Sequence, residues 1–123
     1  MRSAQLRGLR GATTCDQDTP AAIEDATQEL LRAMMDRNEL AHDDVVSVIF
    51  TTTRDLTSTF PATVARGIGF GDIPLLCASE IDVPGSMPLC VRILIHVYTN
   101  RSRGELRHVY LRNAQGLRDD LPE

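Results

Sequence analysis

Between positions 90 and 99, Val91, Ile93, Ile95 and Val97 alternate with Arg92, Leu94, His96 and Tyr98. A period of two predicts a strand with one face turned to a core. Upstream the period changes. Ile23, Thr27, Leu30, Leu31, Met34 and Met35 recur at helical spacing and make one apolar stripe. Thr19 and Pro20 suit an N-cap and a first helical position, and Asn38 suits the stop. Glu24 and Asp25 near the start and Arg37 near the end match the helix dipole. This is the one long helix the pattern predicts.

The rest of the chain reads mostly as strand and turn. Residues 6–12 predict a first strand, followed by a turn over 13–18. Residues 44–53, DVVSVIFTTT, are β-branched and apolar, which predicts a buried strand. Residues 54–71 are irregular, with one short helical turn over 61–66 started by Pro61. A short strand follows at 73–79, and Pro84, Gly85 and Pro88 make 83–88 a loop. After a polar turn at 100–104, LRHVYLR at 106–112 predicts the last strand. The order implies an α+β domain with a single mixed β-sheet and one long helix. One helix covers one face of such a sheet. The other face also carries Ile, Leu and Val, so self-association is expected, with clefts between subunits.

At 123 residues the chain is one domain with a modest core, and 42% hydrophobic with 24% charged residues is ordinary for a globular protein. Aromatics are 4% with no Trp, which argues against stacking platforms for single-stranded nucleic acid. A net charge of -4 argues against general nucleic-acid or membrane-surface binding. Cys15, Cys77 and Cys90 are far apart and lack metal-type spacing, so free thiols in a reducing cytoplasm are expected. No apolar run follows Arg2, so no signal peptide is expected. Arg92 and His96 interrupt the most apolar stretch, which falls short of a membrane span.

Candidate chemistry is sparse. His42, His96 and His108 have no serine or cysteine partner in a catalytic motif. His42 lies in a polar loop; His96 and His108 read as structural strand residues. No His, Asp, Glu or Cys cluster has ligand spacing, so neither metal nor cofactor is expected. Residues 66–71, RGIGFG, hint at a phosphate loop but lack its Lys-Ser/Thr. In RGLRGATT at 7–14, Arg7 and Arg10 are three apart and face opposite sides of a strand. At most one reaches a pocket, and an inward arginine asks for an anion. Arg66 could equally be a helix-end charge, Glu80 a surface acid, Cys77 a small filler and Tyr110 an edge-strand hydrophobe. Arg92, set among Val91, Ile93, Leu94 and Ile95, fits a bland role least.

From Leu6 to Leu121, the segments RGLRGATT, DLTSTFPATVARGIGF, LLCASEIDVPGSMPLCVRILIHV, RHVYL and QGLRDDL occur in order. Together they resemble the AroH-type chorismate mutases. The most specific pieces are RGATT, FPA with a following arginine, C-x-x-E-x-D-V, C-x-R and RHVYL. The resemblance implies a trimeric pseudo-α/β-barrel with active sites between subunits, which would cover the second sheet face. It also implies conversion of chorismate to prephenate in phenylalanine and tyrosine biosynthesis, with no cofactor. By motif, Arg10 takes the place of a carboxylate-binding arginine, Phe60 of a wall residue and Arg66 of a basic residue at the cleft mouth. Cys77 and Glu80 form the C-x-x-E pair, Arg92 is the arginine of C-x-R, and Tyr110 the tyrosine of RHVYL. Leu117 resembles a residue that closes over the ligand. Thr63 stands where some members carry lysine. Residues 1–5 form a small extension and 117–123 a short acidic tail.

The implied reaction is an intramolecular pericyclic rearrangement that needs no nucleophile or proton transfer. Planar arginine forks hold carboxylates in fixed orientation, and holding a chair-like conformer lowers the entropic barrier. Arg92 aimed at the ether oxygen would stabilise the charge that grows there. Glu80 would accept the ring hydroxyl, with Cys77 a weak donor or acceptor beside it and Tyr110 a donor to a carboxylate. Two alternatives compete. A silent trimer binding a dicarboxylate could use Arg10 and Arg92, but Glu80 would then repel the ligand. An interface-site trimer of deaminase or tautomerase type is the other; a tautomerase would need a proline after Met1, which is absent.

Overall fold

The alternation along β4 (Cys90–Thr99) makes it the centre of the sheet, with Val91, Ile93, Ile95 and Val97 buried and Arg92 and Tyr98 exposed. The computed structural model describes residues 3–117. β1 (Gln5–Thr14) runs antiparallel along the whole of β4, from Gln5 opposite Thr99 to Thr14 opposite Cys90. β2 (Val45–Thr52) lies antiparallel on the other side, with an irregularity between Val45 and Ser47. β3 (Leu75–Ser79) is parallel to β2, and β5 (Val109–Tyr110) is parallel to β1. The sheet is therefore mixed, five strands in the order β3-β2-β4-β1-β5.

α1 (Pro20–Arg37) begins as its sequence predicts, with the Ala22 N–H donating to Thr19 Oγ1 at 3.1 Å. It buries Ile23, Ala26, Thr27, Leu30, Leu31 and Met34, while Met35 is only partly covered. Glu24 and Asp25 lie past the first turn, so only Arg37 at the far end matches the dipole as expected. Asn38 closes the helix and is fully occupied. It donates to Met34 O and Arg107 O, each at 2.9 Å, and accepts the Arg107 N–H at 2.7 Å. That amide ties the segment before β5 to the helix end. Leu30, Leu31 and Met34 pack with Leu9, Val48, Phe50, Ile93, Ile95 and Val97 in the main core. Gly11 makes the approach possible, because a Cβ there would collide with Met34 Sδ and crowd Leu30.

Several boundaries move. β1 continues through Thr13 and Thr14, which pair with Val91 and Cys90 instead of forming a turn. β3 starts at Leu75, after Pro74 O has accepted the Val48 N–H. The predicted strand over 106–112 shrinks to Val109–Tyr110, flanked by 3-10 turns at Arg103–Glu105 and Arg112–Leu117. Arg112 ends it by adopting φ +52°, with its guanidinium bonded to Glu29, Asp25 and Thr14 O. The helical turn started by Pro61 is present as α2 (Pro61–Ala65), and a wide turn over Arg66–Phe70 follows, broken at Gly69.

The second face of the sheet carries Leu6, Gly8, Arg10 and Ala12 of β1, with Leu94, His96 and Tyr98 of β4 beside them. Leu6 and Tyr98 are exposed, as is Leu76 on β3. Among the described residues neither α1 nor α2 covers this face, and the 3-10 turn Arg112–Leu117 packs only on its Ala12 end.

Candidate active site

Strand register alone gathers the first group of side chains. Arg92 lies opposite Ala12 on one side and Thr51 on the other. The parallel pairing of β5 sets Tyr110 beside Ala12. These residues, with Arg10, Ile49 and Leu94, line a hollow of about 250 Å³ on the uncovered face. Arg7, odd in the strand count, belongs to the opposite face from Arg10.

Glu80 enters from the end of β3, where its N–H donates to Thr52 O at 2.9 Å. Its Oε2 accepts the Thr51 hydroxyl at 2.8 Å, and its Oε1 accepts Arg92 Nε at 3.1 Å. An ion pair this exposed contributes at most about 1 kcal/mol, so its consequence is orientation. Only Nε of Arg92 is engaged; among the described residues its two Nη groups make no hydrogen bond. The Arg10 guanidinium likewise has no partner among the described residues, although its backbone N–H donates to His108 Nδ1 at 3.0 Å. Two cations with free donors thus sit on an apolar face beside one fixed carboxylate. That arrangement can hold an anionic ligand and orient a hydroxyl.

Tyr110 is buried with Ala12 and Ala114, and Leu117 packs against that cluster. Met87, from the loop between β3 and β4, packs there too. No sequence signal singled out Met87, since it stands in a stretch of Pro, Gly and Ser that reads only as loop.

Cys77 and Phe60 belong to a different hollow of about 330 Å³, which Thr52, Ser58, Pro61 and Ser79 also line. Cys77 pairs with Phe50 in register and packs on the main core, so it faces away from Arg92. Phe60 is 67% exposed. Arg66 borders neither hollow; it is exposed, and its Nη2 donates to Thr63 Oγ1 at 3.2 Å. Within the chain the structure therefore brings together Arg10, Arg92, Glu80, Tyr110 and Leu117, and separately Cys77 with Phe60.

The loop that presents Phe60 is anchored by two carboxylates that carried no sequence signal. Asp18 accepts the N–H groups of Thr57 and Ser58 at 2.9 and 3.0 Å and the Thr57 hydroxyl at 2.9 Å. Hydrogen bonds from Ser58 and Thr57 hold it below the usual carboxylate value. Asp55 accepts the Thr53 hydroxyl and the Leu89 N–H, joining this loop to the start of β4.

Elsewhere, burial pushes the thiols of Cys15 and Cys90 up to about 11. His42 is raised by Asp72 at 2.8 Å and by Asp43 at 3.4 Å. Among the described residues no three His, Cys, Asp or Glu side chains gather as a metal site. No helix among them is long and apolar enough to cross a membrane.

Residues 6–121 match the family model for chorismate mutase type I. The chain belongs to that family. This chorismate mutase family member is an isomerase, as its relatives are named. It is 50% identical over 117 residues to chorismate mutase AroH of Thermus thermophilus, covering 94% of this chain and 96% of that one. It is 38% identical over 117 residues to chorismate mutase AroH of Bacillus subtilis (strain 168), covering 94% and 92%. The solved chorismate mutase from Clostridium thermocellum superposes with a TM-score of 0.88 at 44% identity, over 89% of this chain and 98% of that one. The α+β fold with one mixed sheet is thus that of the family.

Proposed function

We propose that the chain converts chorismate to prephenate, in phenylalanine and tyrosine biosynthesis in the cytoplasm, by holding the reactive conformer and stabilising the ether oxygen. The observation that carries this reading is the Arg10 guanidinium, without a partner among the described residues, and the Arg92 fork, held by Glu80 only at Nε, on the open sheet face. Arg10 anchors a carboxylate of the substrate, and Tyr110 donates to one. Arg92 holds its free Nη donors toward the ether oxygen, where negative charge grows as the C–O bond breaks ahead of C–C formation. Glu80 accepts the ring hydroxyl. Leu117 closes over the ligand from the C-terminal turn.

Cys77, Phe60 and Arg66 complete the site from a neighbouring subunit. Their separation from Arg92 within one protomer, and the exposure of Phe60, support a composite cleft. A homotrimer supplies that cleft and covers the apolar open face. Purified protein without added cofactor should consume the ring-diene absorbance of chorismate and yield prephenate, which acid converts to phenylpyruvate. Loss of absorbance no faster than the spontaneous rate would sink this reading. Sedimentation should give three times the monomer mass, and a monomer would overturn the composite cleft.

A further inference from the structure

β5 begins one residue too late to finish the ladder along β1. Its pairing starts at Val109 with Gly11, so the outward N–H of Arg10 meets no strand carbonyl. His108 fills that gap with a side chain, its Nδ1 accepting the Arg10 N–H at 3.0 Å. The bond requires Nδ1 to be unprotonated, which places the proton of the neutral ring on Nε2. A histidine that reads as an ordinary strand residue thus stands outside β5 and completes the sheet at the residue carrying the guanidinium.

From this geometry we infer that His108 is a positioning residue for Arg10: it fixes the backbone from which Arg10 reaches the substrate carboxylate. The inference rests on the proposed role of Arg10. The direction of a Cα–Cβ bond follows the peptide planes beside it, and here one of those planes is pinned by the imidazole. A few tenths of an ångström at the backbone grow along a side chain as long as arginine, and bidentate carboxylate binding tolerates little misplacement. His108 itself touches no substrate in this scheme. Loss of its acceptor should weaken binding of the carboxylate and leave the bond-breaking step, assigned to Arg92, largely intact.

Three substitutions separate the acceptor from the bulk of the ring. Asparagine offers Oδ1 near the place of Nδ1, glutamine reaches instead toward Nε2, and leucine offers no acceptor. His108→Leu and His108→Gln should raise KM for chorismate about tenfold, with kcat within about twofold, and His108→Asn should restore KM to near wild type. Two variants lacking the acceptor keep the test decisive if the leucine form does not fold. A folded His108→Gln enzyme with wild-type KM, or an asparagine variant as impaired as the glutamine one, overturns the proposal. Arg10→Ala measured alongside separates the two levels. Unchanged KM in that variant defeats the role of Arg10 itself, whereas raised KM there with unchanged KM in His108→Gln defeats only the role of His108.

Discussion

Glu80 Oε1 lies 3.1 Å from Arg92 Nε, and the acid is the less exposed partner, at 17% against 45% for the arginine side chain. The carboxylate is also held by the Thr51 hydroxyl and follows directly from β3. Glu80 is therefore the fixed member of the pair and Arg92 the oriented one. The guanidinium is gripped at Nε and keeps its forked end for a ligand.

Arg92→Lys removes that fork and leaves the charge. Turnover should fall by ~10²–10³ with KM little changed, because the lost donor acts on charge that develops in the transition state. Steady-state kinetics on chorismate check it. A variant with near wild-type kcat would show that Arg92 does not stabilise the ether oxygen.

Thr51→Val keeps the shape and deletes the donor to Glu80 Oε2. One hydrogen bond to a charged group is worth about 1.5–3 kcal/mol, so the loss should appear as a clear drop in kcat, recovered by Thr51→Ser. Equal rates for the valine and serine variants would mean that Thr51 does not set the acid.

Gly11→Ala should destabilise the protein by about 1–3 kcal/mol, the usual cost of overpacking. The new methyl meets Met34 and Leu30 of the long helix. Denaturant unfolding measures it, and Met34→Ala in the same chain should recover part of the loss. An unchanged midpoint would show that the helix shifts freely on the sheet.

His42 should titrate above its ordinary value of 6.5, held up by the hydrogen bonds it donates to Asp72 and then Asp43. A value raised in the folded state gives a stabilisation fully present below pH 6.5 and lost as the pH rises through the folded value. Proton NMR of the ring reports the titration. Asp72→Asn should lower it, and no change would place the pair apart in solution.

Cys15 and Cys90 are buried with thiols pushed up to about 11, whereas Cys77 is half-buried at the edge of a hollow. A thiol reagent at pH 8 should label Cys77 fast in the native protein and the other two only after unfolding. If Cys77 lines the substrate cleft, chorismate should slow its labelling. Rapid modification of all three native thiols would contradict the burial.

The helix of residues 20–37 and the alternation of β4 were legible because each is a local period that the core enforces. The boundaries that failed were set by distant partners. Thr13 and Thr14 read as a turn until Val91 and Cys90 pair with them, and Arg112 ends β5 through acids on α1 that lie far away in sequence. Asp18 and Asp55 were invisible for the same reason, since nothing in a Thr/Ser-rich stretch says which carboxylate its amides will find.

By itself the sequence determined the α+β class, the single long helix, the sorting of Arg7 from Arg10 to opposite faces, and through its motifs the family. Side-chain alternation and helical period are properties of neighbouring residues and need no third dimension. Only the tertiary structure decided the company each residue keeps: Arg92 turned by Glu80, Cys77 facing away with Phe60, His108 closing the ladder at Arg10. Those relations depend on strand register, which is settled when the buried faces of distant strands meet across one core.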